Sequence, residues 1–208
     1  MQKSKRIKKS NSWKIKQHRD QYFKKSKTLG YRSRASFKLI ELNEKYKFIR
    51  SNTNLLDLGS TPGGWSQVAA KIITSGKILS VDLNDMDSLK NVKFLKGDIM
   101  EKDTKIKILN YFDKNLDVII SDMAANTTGN KSLDSIRTNQ LCTDVIYFSK
   151  DTLKPKGVLV SKLFMGDDFL EVKKLAKSLF QKVNFFKPES SRKESKETYL
   201  HCEILKSL

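Results

Sequence analysis

Three observations predict an α/β fold with a seven-stranded, mostly parallel sheet whose last strand runs antiparallel. Strand and helix patterns alternate along the chain, the strands are apolar β-branched runs, and the chain closes on two strands with no room for a helix between them. Ser33 is placed to cap a helix running to about Phe48, with Ala35, Leu39, Leu42 and Tyr46 as its buried stripe. Lys38 stands one turn before Leu42, where a lysine ordinarily lays its stem along apolar surface and keeps its charge in water. Asn54–Gly59 reads as a buried strand, Trp65–Ile73 as a helix, and Lys77–Leu83 and Val92–Leu95 as strands. A helix over Thr104–Tyr111, a strand over Leu116–Asp122 and a long helix over Leu133–Thr152 follow. Gly157–Phe164 is the next strand and Asp168–Gln181 the next helix, before the closing strands Lys182–Lys187 and Thr198–Leu205. The chain shows no internal repeat and no Gly/Ser-rich linker, so residues 33–208 read as one domain behind a basic extension, 1–32. Met1–Ser12 has no apolar period and reads as disordered.

The charge balance speaks to partners. Lys and Arg total 41 against 23 acids, a net charge of +18, for which a polyanion is the natural counterpart. Residues 1–38 hold ten Lys and four Arg against the single acid Asp20. From Trp13 the cations are interleaved with rings: Tyr22, Phe23 and Tyr31 alternate with Lys24, Lys25, Lys27, Arg32 and Arg34. Phosphates take such charges and unstacked bases take such rings, so this stretch reads as an RNA-binding arm. The plainer alternative is a solvated tail that keeps the protein soluble. No apolar run approaches the roughly 20 residues of a membrane span, and no apolar segment follows the basic start as in a secretory signal. Cys142 and Cys202 form no CxxC pair, and with only His18 and His201 beside them no metal-ligand spacing exists. Neither a metal nor a disulfide framework is expected, and the thiols point to a reducing compartment such as the cytoplasm.

The most specific motif is Leu55-Leu56-Asp57-Leu58-Gly59-Ser60-Thr61-Pro62-Gly63-Gly64-Trp65, a strand entering a glycine-rich turn that opens a helix. Glycines there let backbone N–H groups approach a ligand. The spacing departs from the G-x-G-x-x-G of dinucleotide sites. Asp57 at this strand's end suits a ligand with a cationic amino group. Asp82 ends the next strand, 23 residues after Gly59 and near the roughly 20-residue offset of ribose-binding acids. Asp98 follows the third strand, placed for an adenine amino group. Any one of these acids alone is more often a helix cap or turn residue. Together at successive strand ends they describe an adenosine with an amino-acid tail, S-adenosylmethionine.

Two further strand ends carry reactive side chains. The fourth ends Ser121-Asp122-Met123-Ala124, without the Asp/Asn-Pro-Pro-aromatic turn of amino-methylating enzymes. The fifth ends Val160-Ser161-Lys162-Leu163-Phe164, a lysine inside an apolar run, which is costly unless paired or neutral.

With these motifs, the chain from Trp13 onward resembles the FtsJ/RrmJ (RlmE) family of ribosomal RNA large-subunit ribose 2′-O-methyltransferases. The resemblance rests on Gly30-Tyr31-Arg32-Ser33-Arg34-Ala35-Ser36-Phe37-Lys38-Leu39, the Asp57–Gln67 loop, Ser121–Ala124, Val160–Phe164, and Ser191-Arg192 through Glu197-Thr198-Tyr199. Ser60-Thr61 and Ala125-Asn126 depart from the family's usual alanine-rich and Pro-Asn pairs without removing a reacting group. The resemblance implies a Rossmann-like class I S-adenosylmethionine-dependent fold. It implies a catalytic tetrad at Lys38, Asp122, Lys162 and Glu197, and cofactor contacts at Gly63, Trp65, Asp82, Asp98 and Asp122, beside Asp57 and Gly59 of the loop. Lys162 is the best candidate for the base that removes the hydroxyl proton. Arg192 joins the arm's Lys24, Lys25, Lys27, Tyr31, Arg32 and Arg34 as an expected RNA contact. The expected substrate is a uridine ribose of 23S RNA in an assembled or late-assembling large subunit, and the expected state a monomer. A transfer RNA anticodon-loop methyltransferase and a non-catalytic ribosome assembly factor are the alternatives.

Overall fold

A computed structural model describes residues 20–113 and 116–206. Most of the arm before Asp20, including Met1–Ser12, Trp13 and His18, lies outside the described residues. The elements are α1 (Gln21–Thr28), α2 (Ala35–Tyr46), β1 (Leu55–Leu58), α3 (Gly64–Ile72), β2 (Ile78–Asp82) and β3 (Lys93–Lys96). They continue as α4 (Lys102–Phe112), β4 (Leu116–Ser121), α5 (Lys131–Thr152), β5 (Leu153–Phe164), α6 (Phe169–Leu179), β6 (Phe180–Phe186) and β7 (Glu197–Leu205).

Seven strands form one sheet in the order β3-β2-β1-β4-β5-β7-β6. The pairs from β3 through β5 are parallel, whereas β7 runs antiparallel to both β5 and β6. This is the expected α/β class with an antiparallel last strand. Strand alternation divides the core. Leu56, Leu58, Ile119, Leu159, Leu163 and Leu200 face one side and pack with Ile108, Val145, Ile146 and Val172 of α4, α5 and α6. Leu55, Val118, Ile120, Val160 and Tyr199 face the other and pack with Leu39 and Leu42 of α2 and Trp65 and Val68 of α3. Both faces are therefore covered, as a parallel sheet requires, and each fully buried aliphatic side chain contributes about 1.5–3 kcal/mol.

Four local readings are corrected. Helix α1 was not expected, because its apolar positions are few; Asp20 caps it by accepting from Tyr22 N at 3.0 Å and Phe23 N at 3.2 Å. Ser33 does not cap α2: Arg34 is the N-cap without a side-chain bond, and Ser33 lies against Gly64 instead. The fifth strand begins at Leu153, not Gly157, because a register shift between Leu116 and Val118 absorbs the segment around Pro155. The sixth begins at Phe180, whose aromatic ring is buried and ends α6 directly.

Candidate active site

The strand order reverses between β1 and β4, and the crevice outside the carboxyl ends of such strands is where open α/β sheets bind ligands. Two connected spaces open there. A cleft of about 790 Å³ is lined by Asp82, Asp98, Met100, Met123, Arg137 and Gln140. A smaller cavity of about 160 Å³ is lined by Arg34, Asp57, Ser60 and Trp65, and both spaces touch Gly59 and Asp122. Gly59 has φ 72°, and a Cβ there would lie 2.4 Å from Met123 Cγ, so the turn admits no side chain. Gly63, at φ 102°, caps α3 and leaves its N-terminus open.

Asp57 faces the smaller cavity from β1. It is 1% exposed; Oδ2 accepts a 2.5 Å hydrogen bond from Ser66, while Oδ1 has no partner. Burial pushes this carboxyl up to about 7, with Asp122 and Asp82 adding to the rise and Ser66 opposing it. Asp82 accepts from Thr61 N at 2.9 Å and Asn84 N at 2.8 Å, which fixes the carboxylate at the rim of the glycine loop. Asp98 accepts from Met100 N at 2.8 Å. Trp65 donates its indole N–H to Ala35 O at 2.8 Å, so its ring edge is committed to α2.

The tetrad expected from the sequence is brought together as two ion pairs. Lys162 Nζ lies 2.6 Å from Asp122 Oδ1 and donates to the Asp122 carbonyl at 2.9 Å. Lys38 Nζ lies 2.9 Å from Glu197 Oε2. Burial alone would raise both carboxyls. The ammonium groups outweigh it and lower Asp122 and Glu197 alike, each carboxylate feeling Lys38 and Lys162 together. Lys162 is opposite Tyr199 in the β5–β7 register, and the Tyr199 hydroxyl donates to Asp122 Oδ1 at 2.6 Å. Tyr199 was not among the expected site residues. Its signal was the two-residue step from Glu197, which puts both on one face of β7.

The FtsJ-like methyltransferase family matches residues 31–204 of this chain. The chain belongs to that family. The ribosomal RNA large subunit methyltransferase E of Pelagibacter ubique is 44% identical over 197 residues, covering 95% of this chain and 97% of that protein. Its counterpart in Rickettsia akari is 42% identical over 202 residues, 94% of this chain and 89% of that protein. A protein described as a ribosomal RNA methyltransferase of Plasmodium falciparum superposes with a TM-score of 0.75 at 33% identity, over 84% of this chain and 98% of that one. Human methyltransferase-like protein 13, in complex with SAH, shares the fold at a TM-score of 0.57 and 16% identity, over 81% and 79% of the two chains.

The basic residues of this FtsJ-like methyltransferase fall into two groups. Lys24, Lys25 and Lys27 are exposed on α1. Arg32 and Arg34 make their contacts within the protein, and Arg192, its side chain 40% exposed, reaches Asp20 through Nε alone. Arg32 donates to the carbonyls of Pro62 at 3.3 Å, Asp87 at 2.7 Å and Ser88 at 2.8 Å, clamping the glycine loop. Arg34 pairs with Asp20 at 2.6 Å and donates to Ser190 O; Arg192 Nε lies 3.5 Å from the same Asp20 oxygen. Tyr31 is half-buried beneath Lys71, whose Nζ stands 4.0 Å from the ring centroid. Among the described residues no cluster of three metal-ligating side chains occurs, and no helix is long and apolar enough to cross a membrane.

Proposed function

We propose that this chain transfers a methyl group from S-adenosylmethionine to the 2′-oxygen of a uridine ribose in the 23S RNA of the large ribosomal subunit. The observation that carries the reading is the pairing of Lys38 with Glu197 and of Lys162 with Asp122, where Asp122 also lines the cavity that holds the unpartnered Asp57 Oδ1. The residues present fit the cofactor. A buried carboxylate oxygen without a partner costs free energy until a cation reaches it, and the α-amino group of the methionine tail is such a cation. Asp82 and Asp98 sit in the adjoining cleft, where ribose hydroxyls and an adenine amino group find acceptors.

When bound, S-adenosylmethionine supplies a methyl on a positively charged sulfur and departs as a neutral thioether. A ribose hydroxyl bound beside Asp122 and Lys162 would accept that methyl as the carbon–sulfur bond breaks, provided its proton is removed. Lys162 is placed to take the hydroxyl proton on Nζ once the proton it holds in the Asp122 ion pair has passed to solvent. Asp122 orients Lys162 through the 2.6 Å contact and receives the charge that proton brings. Lys38 and Glu197, held to each other, orient the hydroxyl and its neighbour. On α1, Lys24, Lys25 and Lys27 offer charges to the RNA backbone. The names of the Pelagibacter ubique and Rickettsia akari relatives, large-subunit ribosomal RNA methyltransferases, favour the large subunit over transfer RNA as substrate.

Incubation with methyl-labelled S-adenosylmethionine and, separately, total transfer RNA, naked ribosomal RNA and large subunits from a strain lacking this activity tests the reading. Label is expected in large-subunit RNA, at a linkage that resists alkali because the blocked 2′-oxygen no longer attacks the phosphate. Label in RNA that still cleaves there in alkali means base methylation and overturns the assignment.

A further inference from the structure

We infer that Asp20 is a positioning residue for the tetrad, tying together the two elements that carry Lys38 and Glu197. The Asp20 carboxylate is a four-way junction. One oxygen accepts from Tyr22 N and Phe23 N; the other meets Arg34 Nη1 at 2.6 Å and Arg192 Nε at 3.5 Å. Arg34 stands one helical turn before Lys38, and Arg192 lies on the segment that leads into Glu197. The two positions that Asp20 joins are therefore neighbours in sequence of the two that pair at the site. The same two elements are laced a second time nearby. Arg34 donates to Ser190 O, and Glu41 of α2 accepts from Glu189 N at 2.5 Å and Ser190 N at 3.1 Å.

The charge of Asp20 explains why this junction is built from ions. Its side chain is 10% exposed and Arg34's is 18%, so the pair is largely desolvated, where removing one partner leaves an uncompensated charge. Without the carboxylate, two guanidinium groups face each other between α2 and the 187–196 segment. Their repulsion loosens the tie between the elements next to Lys38 and Glu197, and a misplacement of about 1 Å can lower a rate by roughly a hundred-fold. Asp20 itself lines neither cavity, whereas its partner Arg34 lines the smaller one, so its effect reaches the reaction through Arg34 and Arg192. A plain N-cap role is the competing explanation, and it differs in what it requires: a cap needs a short acceptor, whereas the junction needs a negative charge.

The inference rests on the proposed methyl transfer, and the test keeps the two apart by referring every variant to the full-length wild-type chain. Asp20→Asn keeps a good cap and removes the charge; Asp20→Glu keeps the charge and worsens the cap. Steady-state methylation of large subunits is measured for both, with calorimetric S-adenosylmethionine binding and thermal unfolding alongside. Asp20→Asn is expected to lower kcat by roughly ten-fold or more, with cofactor affinity unchanged and the fold retained, and Asp20→Glu to recover part of that loss. A wild-type kcat in Asp20→Asn overturns the inference and leaves a cap. So does a lower KM for RNA at unchanged kcat, since Asp20 would then merely compete with phosphates for the two arginines. An inactive wild-type chain refutes the proposed reaction instead.

Discussion

The Tyr199 hydroxyl donates to the same Asp122 oxygen that Lys162 Nζ approaches, each at 2.6 Å. A phenol and an ammonium thus share one carboxylate oxygen in a buried site, and the strand register makes them do so, since Lys162 and Tyr199 are direct cross-strand partners. Tyr199 itself is fully buried, and burial, followed by the charges of Asp122 and Glu197, holds its hydroxyl in the protonated, donating form. Tyr199→Phe is expected to destabilise the fold by about 1.5–3 kcal/mol, the scale of a hydrogen bond to a charged group. It should also lower kcat, because Lys162 loses the fixed orientation of its partner. Chemical denaturation and single-turnover methylation measure the two effects, and wild-type values in both would show that the hydroxyl is dispensable.

Asp57 is expected to make cofactor binding pH-dependent. Its carboxyl is raised to about 7 from 3.8, so the folded apoprotein binds a proton there that the unfolded chain has already lost. This group's contribution to stability is therefore fully present below about 4 and is lost as pH rises toward 7. A cation on Oδ1 favours the carboxylate, so S-adenosylmethionine binding near pH 6 is expected to release a proton from Asp57. Calorimetry in buffers of different ionisation enthalpy reads that release. It should vanish in Asp57→Asn and with methylthioadenosine, which lacks the amino-acid tail. Equal release from the wild type with either ligand would remove Asp57 from the amino group's site.

Lys162 as base and Lys162 as mere electrostatic partner of Asp122 make different predictions for arginine. Arg keeps the positive charge and cannot give up its proton in a protein. Lys162→Arg and Lys162→Ala are both expected to lose at least the roughly 10²–10⁴ in rate typical of general acid–base catalysis, while both still bind S-adenosylmethionine. Substantial turnover by Lys162→Arg would assign the lysine a charge role only.

The two groups of basic residues separate in a salt titration. The triple variant Lys24→Ala, Lys25→Ala, Lys27→Ala should weaken RNA binding and reduce the slope of log affinity against log salt by about 2–3, close to one per phosphate contact. Arg32→Ala should instead loosen the clamp on the glycine loop, lowering cofactor affinity and leaving the salt slope unchanged. A reversed pattern would mean that Arg32 turns outward to the RNA.

Much of this protein was legible from residue order because its signals are local. Strand ends at Asp57, Asp82 and Asp122, the glycine turn at Gly59–Gly64 and the lysine stranded in an apolar run are all properties of short segments. Periodicity and burial on both faces then leave few sheets other than a parallel one. Helix α1 escaped, because its stability comes from Asp20 and from Tyr22 packing against Phe37 at 5.4 Å rather than from an apolar stripe of its own. The partners of the ionic groups escaped for a similar reason. Composition marks Arg32, Arg34 and Arg192 as cations, but only the folded chain decides whether such a group meets a solvent-borne phosphate or an internal acceptor.

What the sequence determined by itself is the class of fold, the family and the side chains available for chemistry. What tertiary structure decided is their pairing: Lys162 with Asp122, Lys38 with Glu197, Tyr199 on Asp122, and Asp20 between two arginines. The physical reason is distance. Hydrophobic period and turn chemistry act over a few residues and are written in order along the chain. An ion pair between residues 159 positions apart, as Lys38 and Glu197 are, depends on a sheet register set by all the strands together.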